Sequence, residues 1–434
     1  MQAPAQLQAT IELLDEIAEH SYPADRVMAS YFKQRRYIGS KDKAVISEYF
    51  YTVLRNRLSF SYLIEQANLE PNSRRFAAVL LISLGLRISD YFNGSGHGPV
   101  PLSESDQQSL AKVSMADLEQ APLHVQLNVP AWITPKLQAA LGDDFEQEMR
   151  ASNQQATTDI RVNTLNSTRK QVLHFLSKAK LSAEPTELSP WGLRFNRRVA
   201  LFGLDAFKQG WFDIQDEGSQ LLALITGVEA GQKVVDFCAG AGGKTLAMAA
   251  MMQNKGTIYA CDVHSKRLEQ LSIRAKRAGV HNLRTHVLSS EHDKWVKKHK
   301  GMADVVLLDA PCSGTGTWRR SPDSRWNLSD QDLENLTRLQ ASILQSAMRL
   351  VKPGGRVLYA TCSLLREENE QVVEEFLNKN NDFSEIPDYF SGFDFDASHV
   401  SINAGQMRTY PAKTGTDGFY VAALQKIEAP GDSD

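Results

Sequence analysis

From Trp211 onward, the sequence alternates between short apolar segments and longer amphipathic segments, and this alternation constrains the fold more than any other feature. The apolar segments, such as residues 305–308, have the length and the valine content of strands buried on both faces. The amphipathic segments repeat apolar residues at helical spacing. Strands that alternate with helices build parallel sheets covered by helices on both faces, so the sequence predicts a doubly wound α/β fold.

The predicted strands and helices of this region follow one another regularly. Strands are expected at residues 233–237, 257–261, 283–288, 304–308, 356–360 and 418–424. Helices are expected at residues 244–252, 266–278, 331–350 and 366–378. Ligands of open α/β sheets bind at the carboxyl ends of the strands, so the residues that follow each predicted strand are the candidates for a site.

Two of these strand ends carry a thiol. Asp309 and Cys312 follow the strand at 304–308, and Cys362 follows the strand at 356–360. Because neighbouring parallel strands lie about 4.8 Å apart, both thiols could reach one substrate. Taken alone, the Asp309–Cys312 segment is equally compatible with an ordinary strand followed by a Pro-Gly turn.

A glycine-rich turn follows the first predicted strand of this region. It comprises Cys238, Ala239, Gly240, Ala241, Gly242, Gly243 and Lys244. Glycines let a ligand approach the backbone, and the helix that follows offers free N–H groups. The turn matches neither the dinucleotide-binding nor the triphosphate-binding motif. Asp262 ends the next strand, where an acid can bind ribose hydroxyls, so the two segments predict a nucleoside-type cofactor.

The patterns divide the chain into three predicted domains, at residues 1–150, 151–210 and 211–434. The first reads as helices, one of them with Ser40 as N-cap. Residues 26–60 contain eight Lys or Arg against two acids, interleaved with aromatic residues. This composition suits RNA, although a solvated helical face over an aromatic core explains it too. The candidate RNA contacts here are Arg35, Arg36, Lys41 and Lys43.

Further RNA contacts are predicted outside the helical region. Residues 151–210 read as a small α+β module with strands at 158–163, 192–195 and 199–202 and a helix at 169–178. Arg161 and Arg194 would be available on its sheet. Arg319 and Arg320 lie in a Trp- and Arg-rich segment, residues 318–326, that could hold an RNA backbone or stack on bases.

The totals exclude several classes of protein. The net charge is −3, so the overall charge does not by itself indicate a nucleic-acid-binding protein. No apolar run approaches the roughly 18 residues of a membrane span, which argues against a membrane protein. The four cysteines contain no C-x-x-C pair, so neither a disulfide framework nor a metal site is indicated. The first residues lack the pattern of a signal peptide, so a cytoplasmic protein is expected. A monomer is the default expectation. The polar tail, residues 429–434, is expected to fray.

The motifs together resemble the Sun/RsmB family of S-adenosylmethionine-dependent RNA cytosine-5 methyltransferases. The resemblance rests on residues 236–245, 309–316 and 359–363, on flanking matches at 213–220 and 417–420, and on residues 37–43, which are similar to the antiterminator-type domain of the bacterial 16S rRNA members. Two departures stand out. Cys-Ala-Gly-Ala-Gly-Gly-Lys replaces the family's usual Cys-Ala-Ala-Pro-Gly-Gly-Lys, and Ser289-Ser290 stands where an Asp usually meets the adenine.

The resemblance implies a class I, Rossmann-like methyltransferase that methylates carbon 5 of a cytosine in ribosomal RNA, in particular 16S rRNA. It implies that Cys362 is the nucleophile, that Cys312 assists release and that Asp309 binds ring N3. It also implies that S-adenosylmethionine is held by the 238–244 turn, Asp262, Arg267 and Asp309. Two alternatives remain open: a methyltransferase for another substrate, such as tRNA, DNA or protein, and a non-catalytic RNA-binding or antitermination factor.

Overall fold

The structure, a computed structural model, describes residues 1–19, 22–197, 199–395 and 397–428. The chain forms two compact units. The first, here called the helical unit, contains residues 1–154 and 318–330. The second, here called the sheet unit, contains residues 155–317 and 331–434. The predicted fraying of residues 429–434 lies outside the described residues.

Within the described part of the chain, the helical unit contains ten α-helices. They are α1 Ala3–Glu19, α2 Ala24–Gln34, α3 Ser40–Arg55, α4 Arg57–Gln66, α5 Ser73–Ser83, α6 Ile88–Tyr91, α7 Glu104–Leu110, α8 Leu123–Gln126, α9 Thr134–Leu141 and α10 Phe145–Ser152. Apolar side chains of α1 to α5 form its core. Tyr31, Tyr51 and Phe60 belong to this core, so these aromatic residues pack inside the unit rather than stack on bases.

One predicted helix start is corrected by the structure. Ser40 is the first residue of α3, and Gly39 occupies the N-cap position without a side-chain cap. Asp42 in the first turn of α3 instead binds the amino terminus of Met1 at 3.0 Å. As an acid in the first turn, Asp42 interacts favourably with the partial positive charge of the helix N-terminus, much as an N-cap side chain does.

A segment distant in sequence completes the helical unit. Arg325 donates to the carbonyls of Asn128 and Ser152, at 3.0 and 3.3 Å, and is 1% exposed. The indole N–H of Trp326 donates to the carbonyl of Leu54 at 2.8 Å. Arg325 and Trp326 therefore tie residues 318–330 to this unit, because they satisfy backbone carbonyls inside it.

The sheet unit begins with a small antiparallel sheet in the order β2-β3-β1-β4. Its elements are β1 Thr158–Val162, α11 Arg169–Lys178, β2 Glu184–Pro185, β3 Gly192–Phe195, α12 Asp205–Lys208 and β4 Phe212–Ile214. The predicted strand at 199–202 is wrong. Leu201 is fully buried there in a loop that packs against the module's core. The fourth strand is β2, which is too short to give a periodic signal.

A nine-stranded sheet forms the rest of the sheet unit, in the order β11-β12-β13-β9-β8-β5-β6-β7, with β10 pairing β13. Strands β5 to β9 are mutually parallel. The elements are α13 Glu217–Leu224, β5 Lys233–Asp236, α14 Gly243–Met251, β6 Thr257–Asp262, α15 Ser265–Ala278, β7 Leu283–Val287, α16 Lys294–Lys298, β8 Ala303–Asp309, α17 Asp330–Ala347, β9 Val351–Thr361, α18 Glu370–Lys379, β10 Phe383–Glu385, β11 Ser401–Asn403, β12 Gln406–Thr409, α19 Pro411–Thr414 and β13 Phe419–Lys426.

The predicted fold class is confirmed. The chain order alternates strands and helices around a sheet whose centre is parallel, as a doubly wound fold requires. A helical region and a small α+β sheet precede it. Among the described residues, no helix is long and apolar enough to cross a membrane. The division into three domains stays a prediction.

Candidate active site

The two thiols follow neighbouring strands at the same edge of the large sheet. Strands β8 and β9 are parallel, with Asp309 opposite Ala360. Each strand then turns into a loop, and the sulfur atoms of Cys312 and Cys362 lie 3.2 Å apart. At this distance one thiol can donate its proton to the other sulfur. The register of the strands thus brings together residues fifty positions apart in sequence.

A buried network of hydrogen bonds joins the two loops that carry the thiols. The hydroxyl of Ser363 lies 3.2 Å from the hydroxyls of Ser313 and Thr315. The carboxylate of Glu368 accepts from the N–H of Ser313 at 2.8 Å and from its hydroxyl at 2.5 Å. Asn369 donates to the carbonyl of Ser363 at 2.9 Å. All five residues are buried, and no sequence pattern had pointed to Glu368 or Asn369.

Close backbone packing also fixes the loop after Cys312. The N–H of Gly316 donates to the carbonyl of Cys362 at 2.9 Å. A Cβ at position 316 would lie 2.1 Å from the carbonyl oxygen of Gly418, so only glycine fits there. The two thiols are therefore held by a rigid frame and not by a free turn.

A cavity of about 770 Å³ opens at the carboxyl ends of the parallel strands. This volume lies in the usual range of small-molecule sites. The predicted cofactor and catalytic residues all line it: Cys238, Ala239, Gly240, Ala241, Gly242, Gly243, Lys244, Asp262, Arg267, Asp309, Cys312 and Cys362. Among the described residues, no three His, Cys, Asp or Glu side chains are grouped as metal ligands.

The glycine turn is tied to the end of the next strand. Asp262 accepts from the N–H of Gly240 at 2.8 Å and from the N–H of His264 at 2.8 Å. Gly242 has φ +82°, and a Cβ there would lie 1.9 Å from Leu271. This turn therefore needs glycine both for its backbone conformation and for its packing on α15.

Asp236 lies buried beneath the turn. Its Oδ2 accepts from the hydroxyl of Thr245 at 2.6 Å, while its Oδ1 has no hydrogen-bond partner. Burial raises the pKa of Asp236 to about 7, although the Thr245 hydrogen bond and the charge of Lys244 lower it in part. A buried carboxyl with one unsatisfied oxygen below a cradle of N–H groups is compatible with a polar ligand above it.

Lys244 and Asp309 form an ion pair across the cavity. The distance from Lys244 Nζ to Asp309 Oδ2 is 2.6 Å. Burial lowers the pKa of Lys244, but the charge of Asp309 and its hydrogen bond more than offset this, so the pKa lies above its usual value. Lys244 is therefore a cation that holds Asp309 close to the thiols.

The surroundings of Cys312 favour its protonated form. The hydrogen bond with Cys362 raises the pKa of Cys312 most, followed by burial and by the charges of Cys362 and Glu368. Burial likewise raises the pKa values of Cys238 and Cys261. These two thiols are consequently poor nucleophiles.

The far wall of the cavity departs from the sequence expectation. Ser289 donates through its N–H and its hydroxyl to Asp293, at 2.9 and 2.7 Å, so it braces the start of α16. Glu291 lines the cavity and accepts from the hydroxyl of Ser342 at 2.9 Å. An acid thus lies on this wall, displaced along the chain from Ser289-Ser290.

Two of the predicted RNA contacts are corrected by the structure. Arg161 is 2% exposed and donates to Gln215 Oε1 at 2.6 Å. Gln215 lines the cavity, so Arg161 supports the cavity wall and does not reach solvent. Arg319 is 6% exposed and is also inaccessible to an RNA backbone. Arg320 is half-buried.

The predicted contacts in the helical unit differ in their accessibility. Arg35 pairs with Glu12 at 3.2 Å, and its guanidinium lies 3.7 Å from the ring centre of Tyr31. Lys43 is half-buried. Arg36 and Lys41 are exposed, and the Tyr37 beside them is 76% exposed. Arg36, Tyr37 and Lys41 thus lie exposed together between α2 and the start of α3, and Arg26, Lys33 and Arg57 are exposed elsewhere in the region.

Two family models match the chain. The model described as "16S rRNA methyltransferase RsmB/F" matches residues 223–425. The model described as "Methyltr_RsmF/B-like, ferredoxin-like domain" matches residues 129–201. Together they cover much of the sheet unit, and the second overlaps the small antiparallel sheet.

Relatives match over nearly the whole chain. A protein from Synechocystis sp. named "Probable ribosomal RNA small subunit methyltransferase B" is 30% identical, with 91% of this chain and 93% of that protein covered. The "Ribosomal RNA small subunit methyltransferase B" of Klebsiella pneumoniae is 29% identical, with 90% and 91% covered. The crystal structure of PH0851 is 27% identical and covers 98% of this chain and 99% of its own, with a TM-score of 0.79.

Proposed function

The chain belongs to the RsmB/F family of 16S rRNA methyltransferases, and from this membership we propose that it methylates carbon 5 of a cytosine in small-subunit ribosomal RNA through a covalent cysteine–cytosine intermediate. The observation that carries the proposal is the pair of thiols 3.2 Å apart at the mouth of the cofactor cavity. Two thiols at one sheet edge suit a reaction in which one thiolate adds to the base and the other group assists its later release, whereas simple binding of a base needs no thiol pair.

The residues present fit S-adenosylmethionine. The turn at 238–244 offers backbone N–H groups at the start of α14, and Asp262 lies at the end of β6, where ribose hydroxyls bind. Arg267 and Glu291 line the remainder of the cavity. When bound, this cofactor supplies an electrophilic methyl group on a sulfonium. The chain supplies everything that makes the cytosine able to attack it.

Cys362 is the proposed nucleophile. Its thiolate adds to carbon 6 of the cytosine, and the ring becomes an enamine whose carbon 5 attacks the methyl carbon. The turn at 238–244 and Asp262 would hold the cofactor so that its sulfonium sulfur leaves as the methyl carbon bonds to carbon 5. Asp309 is the proposed partner of ring N3. Its carboxyl must carry a proton to donate to N3, and Lys244 Nζ, 2.6 Å away, can deliver that proton while the charge on the ring develops.

Cys312 is the proposed release group. After methyl transfer, the proton on carbon 5 must leave before the thiolate of Cys362 can be expelled and the 5,6 double bond restored. Cys312 lies beside Cys362 and, once ionised, can accept that proton. The target base must leave any stack to enter such a site.

The helical unit offers a surface that suits RNA. Arg36, Tyr37 and Lys41 are exposed together, and a cation next to an aromatic ring suits a phosphate and an unpaired base. We keep residues 1–150, 151–210 and 211–434 as the proposed domains, with the first two contributing to RNA binding.

Cys312→Ala tests the mechanism directly. The variant is incubated with the cofactor and 16S rRNA transcribed in vitro, and the products are separated under denaturing conditions. A protein–RNA adduct is expected with Cys312→Ala and is not expected with Cys362→Ala or with the wild type. An adduct with Cys362→Ala alone would reverse the two roles. Methylation by both variants without any adduct would refute the covalent mechanism.

The substrate is tested with the wild-type chain. Methyl transfer is compared for naked 16S rRNA, isolated small subunits, tRNA, DNA and protein, followed by bisulfite mapping of the labelled RNA. We expect 5-methylcytosine in 16S rRNA. Labelling of tRNA or DNA alone would refute the proposed substrate, and the absence of cofactor binding in calorimetry would favour a non-catalytic RNA-binding factor.

A further inference from the structure

Glu368 lies behind the thiol pair as a fully buried carboxylate. It accepts three hydrogen bonds, from the N–H and the hydroxyl of Ser313 and from the side-chain amide of Gln340 at 2.9 Å. No Lys, Arg or His side chain among the described residues pairs with it. Burying a carboxyl without a cation to pair with it costs free energy, and neutral hydrogen bonds offset only part of that cost, so its presence here points to a role in the site.

The geometry of these bonds defines what Glu368 positions. Ser313 follows Cys312 directly, and two of its groups are bound to one carboxylate. Gln340 also donates to the carbonyl of Pro311 at 2.9 Å, so the residues on both sides of Cys312 are fixed by one cluster. Cys312 can therefore move little relative to Cys362.

The remaining charged and titratable groups around Cys312 are few. Cys362 is its hydrogen-bond partner from the loop after β9, and Tyr359 on β9 donates to the carbonyl of Glu368. The Lys244–Asp309 pair lies in the same cavity. Glu368 raises the pKa of Cys312 as one of several causes, after the Cys362 hydrogen bond and burial.

We propose that Glu368 is a positioning residue that fixes the turn carrying Cys312 and keeps a proton on Cys312 while Cys362 attacks the base. This inference rests on the proposed function, because it assigns the attack to Cys362. Before the attack, Cys362 loses its proton to water. Cys312 keeps its proton and donates a hydrogen bond to the Cys362 sulfur. Once Cys362 is bonded to carbon 6 it is no longer a thiolate acceptor, and Cys312 can release its proton to water and accept the one from carbon 5.

Glu368→Gln in the full-length chain separates the charge from the geometry. The glutamine oxygen can accept from the N–H of Ser313, and its amide can donate to the Ser313 hydroxyl, so the turn is kept and only the charge is lost. The alkylation of Cys312 and Cys362 by iodoacetamide is followed by mass spectrometry from pH 6 to 10. We expect the midpoint of Cys312 alkylation to fall by about one pH unit, which is tenfold faster labelling below the midpoint.

Kinetics supply the second readout. We expect Glu368→Gln to lower kcat about tenfold and to shift its pH profile, with KM for RNA unchanged. Glu374→Gln is the matched control, since Glu374 is exposed on α18, and it should behave as the wild type. Ser313→Ala keeps the charge of Glu368 but removes the hydroxyl that binds Glu368 and Ser363, so it should slow turnover without moving the Cys312 midpoint.

The outcomes separate this inference from the proposed function. If Cys362→Ala retains methyl transfer, the proposed function fails, whatever Glu368→Gln does. If Cys362→Ala is inactive but Glu368→Gln shows the wild-type alkylation midpoint and the wild-type kcat profile, only the role of Glu368 is refuted. If Glu368→Gln does not fold, the Ser313→Ala variant decides, because wild-type turnover there would contradict the positioning role.

Discussion

Replacing Arg194 by Met removes a guanidinium that bridges two buried acids in the sheet unit. Arg194 binds Asp159 through two nitrogens at 2.9 Å and Glu217 at 3.1 Å. The side chains of Asp159 and Glu217 are 0% and 1% exposed, against 22% for Arg194. The sequence had offered Arg194 as an RNA contact, whereas this geometry makes it the counter-ion of the small sheet.

The expected cost follows from the two carboxylates that the substitution would leave without a cation. Removing one partner of a buried ion pair costs about 3–5 kcal/mol. Burial already raises the pKa of Glu217, although the N–H groups of Ser189 and Leu188 lower it in part. Without Arg194 it rises further, so protonation limits the loss at low pH. The deficit should therefore be present at pH 8, shrink as the pH falls toward 5 and be smallest below the unfolded-state pKa.

Urea-dependent hydrogen exchange of β1 and β3 measures this deficit in the full-length chain. Arg197→Met is the matched control, because Arg197 is exposed in the same region, and it should change the stability by less than about 0.5 kcal/mol. RNA affinity is measured in parallel by filter binding. A loss of RNA affinity with unchanged stability would refute the structural role of Arg194 and restore the RNA contact.

Two further substitutions test the cofactor cavity. Because the pKa of Asp236 is raised to about 7, the free energy of unfolding of the cofactor-free wild type should fall by up to about 4 kcal/mol as the pH rises from about 4 to 7. Asp236→Asn cannot lose this proton, so urea titrations across the same range should show a flatter pH profile for the variant. Gly242→Ala places a Cβ 1.9 Å from Leu271 at φ +82°, so calorimetry should show at least tenfold weaker S-adenosylmethionine binding; wild-type affinity would contradict the cradle.

The sequence predicted those parts of the fold that depend on local patterns. The central strands β5, β6 and β8 are apolar and short, and their predicted bounds differ from the observed ones by one residue. The residues that follow them were predictable as a site because parallel strands end at one edge. The thiol pair could be anticipated for the same reason, although their 3.2 Å separation depends on the register of β8 and β9.

The sequence failed where a residue's partner is distant. The buried Arg161 donates to Gln215 across 54 positions, and the buried Glu368 accepts from Ser313 across 55. Neither pairing leaves a local pattern, and a charged residue in a short strand looks exposed by default. The two-residue strand β2 escaped notice because two residues carry no periodicity, while the apolar residues at 199–202 pack in a loop.

The helical unit is built from two segments that are far apart in the sequence, and this affects when it can fold during synthesis. Its first part ends at Gln154, but Arg325 and Trp326, which bind carbonyls inside it, belong to a segment that ends at Asp330. At about 5–20 residues per second, the ribosome makes that segment on the order of 10–40 s later. Until then, water takes the place of Arg325 and Trp326 at the carbonyls of Leu54, Asn128 and Ser152. The first unit to be translated therefore finishes folding only after much of the second has emerged.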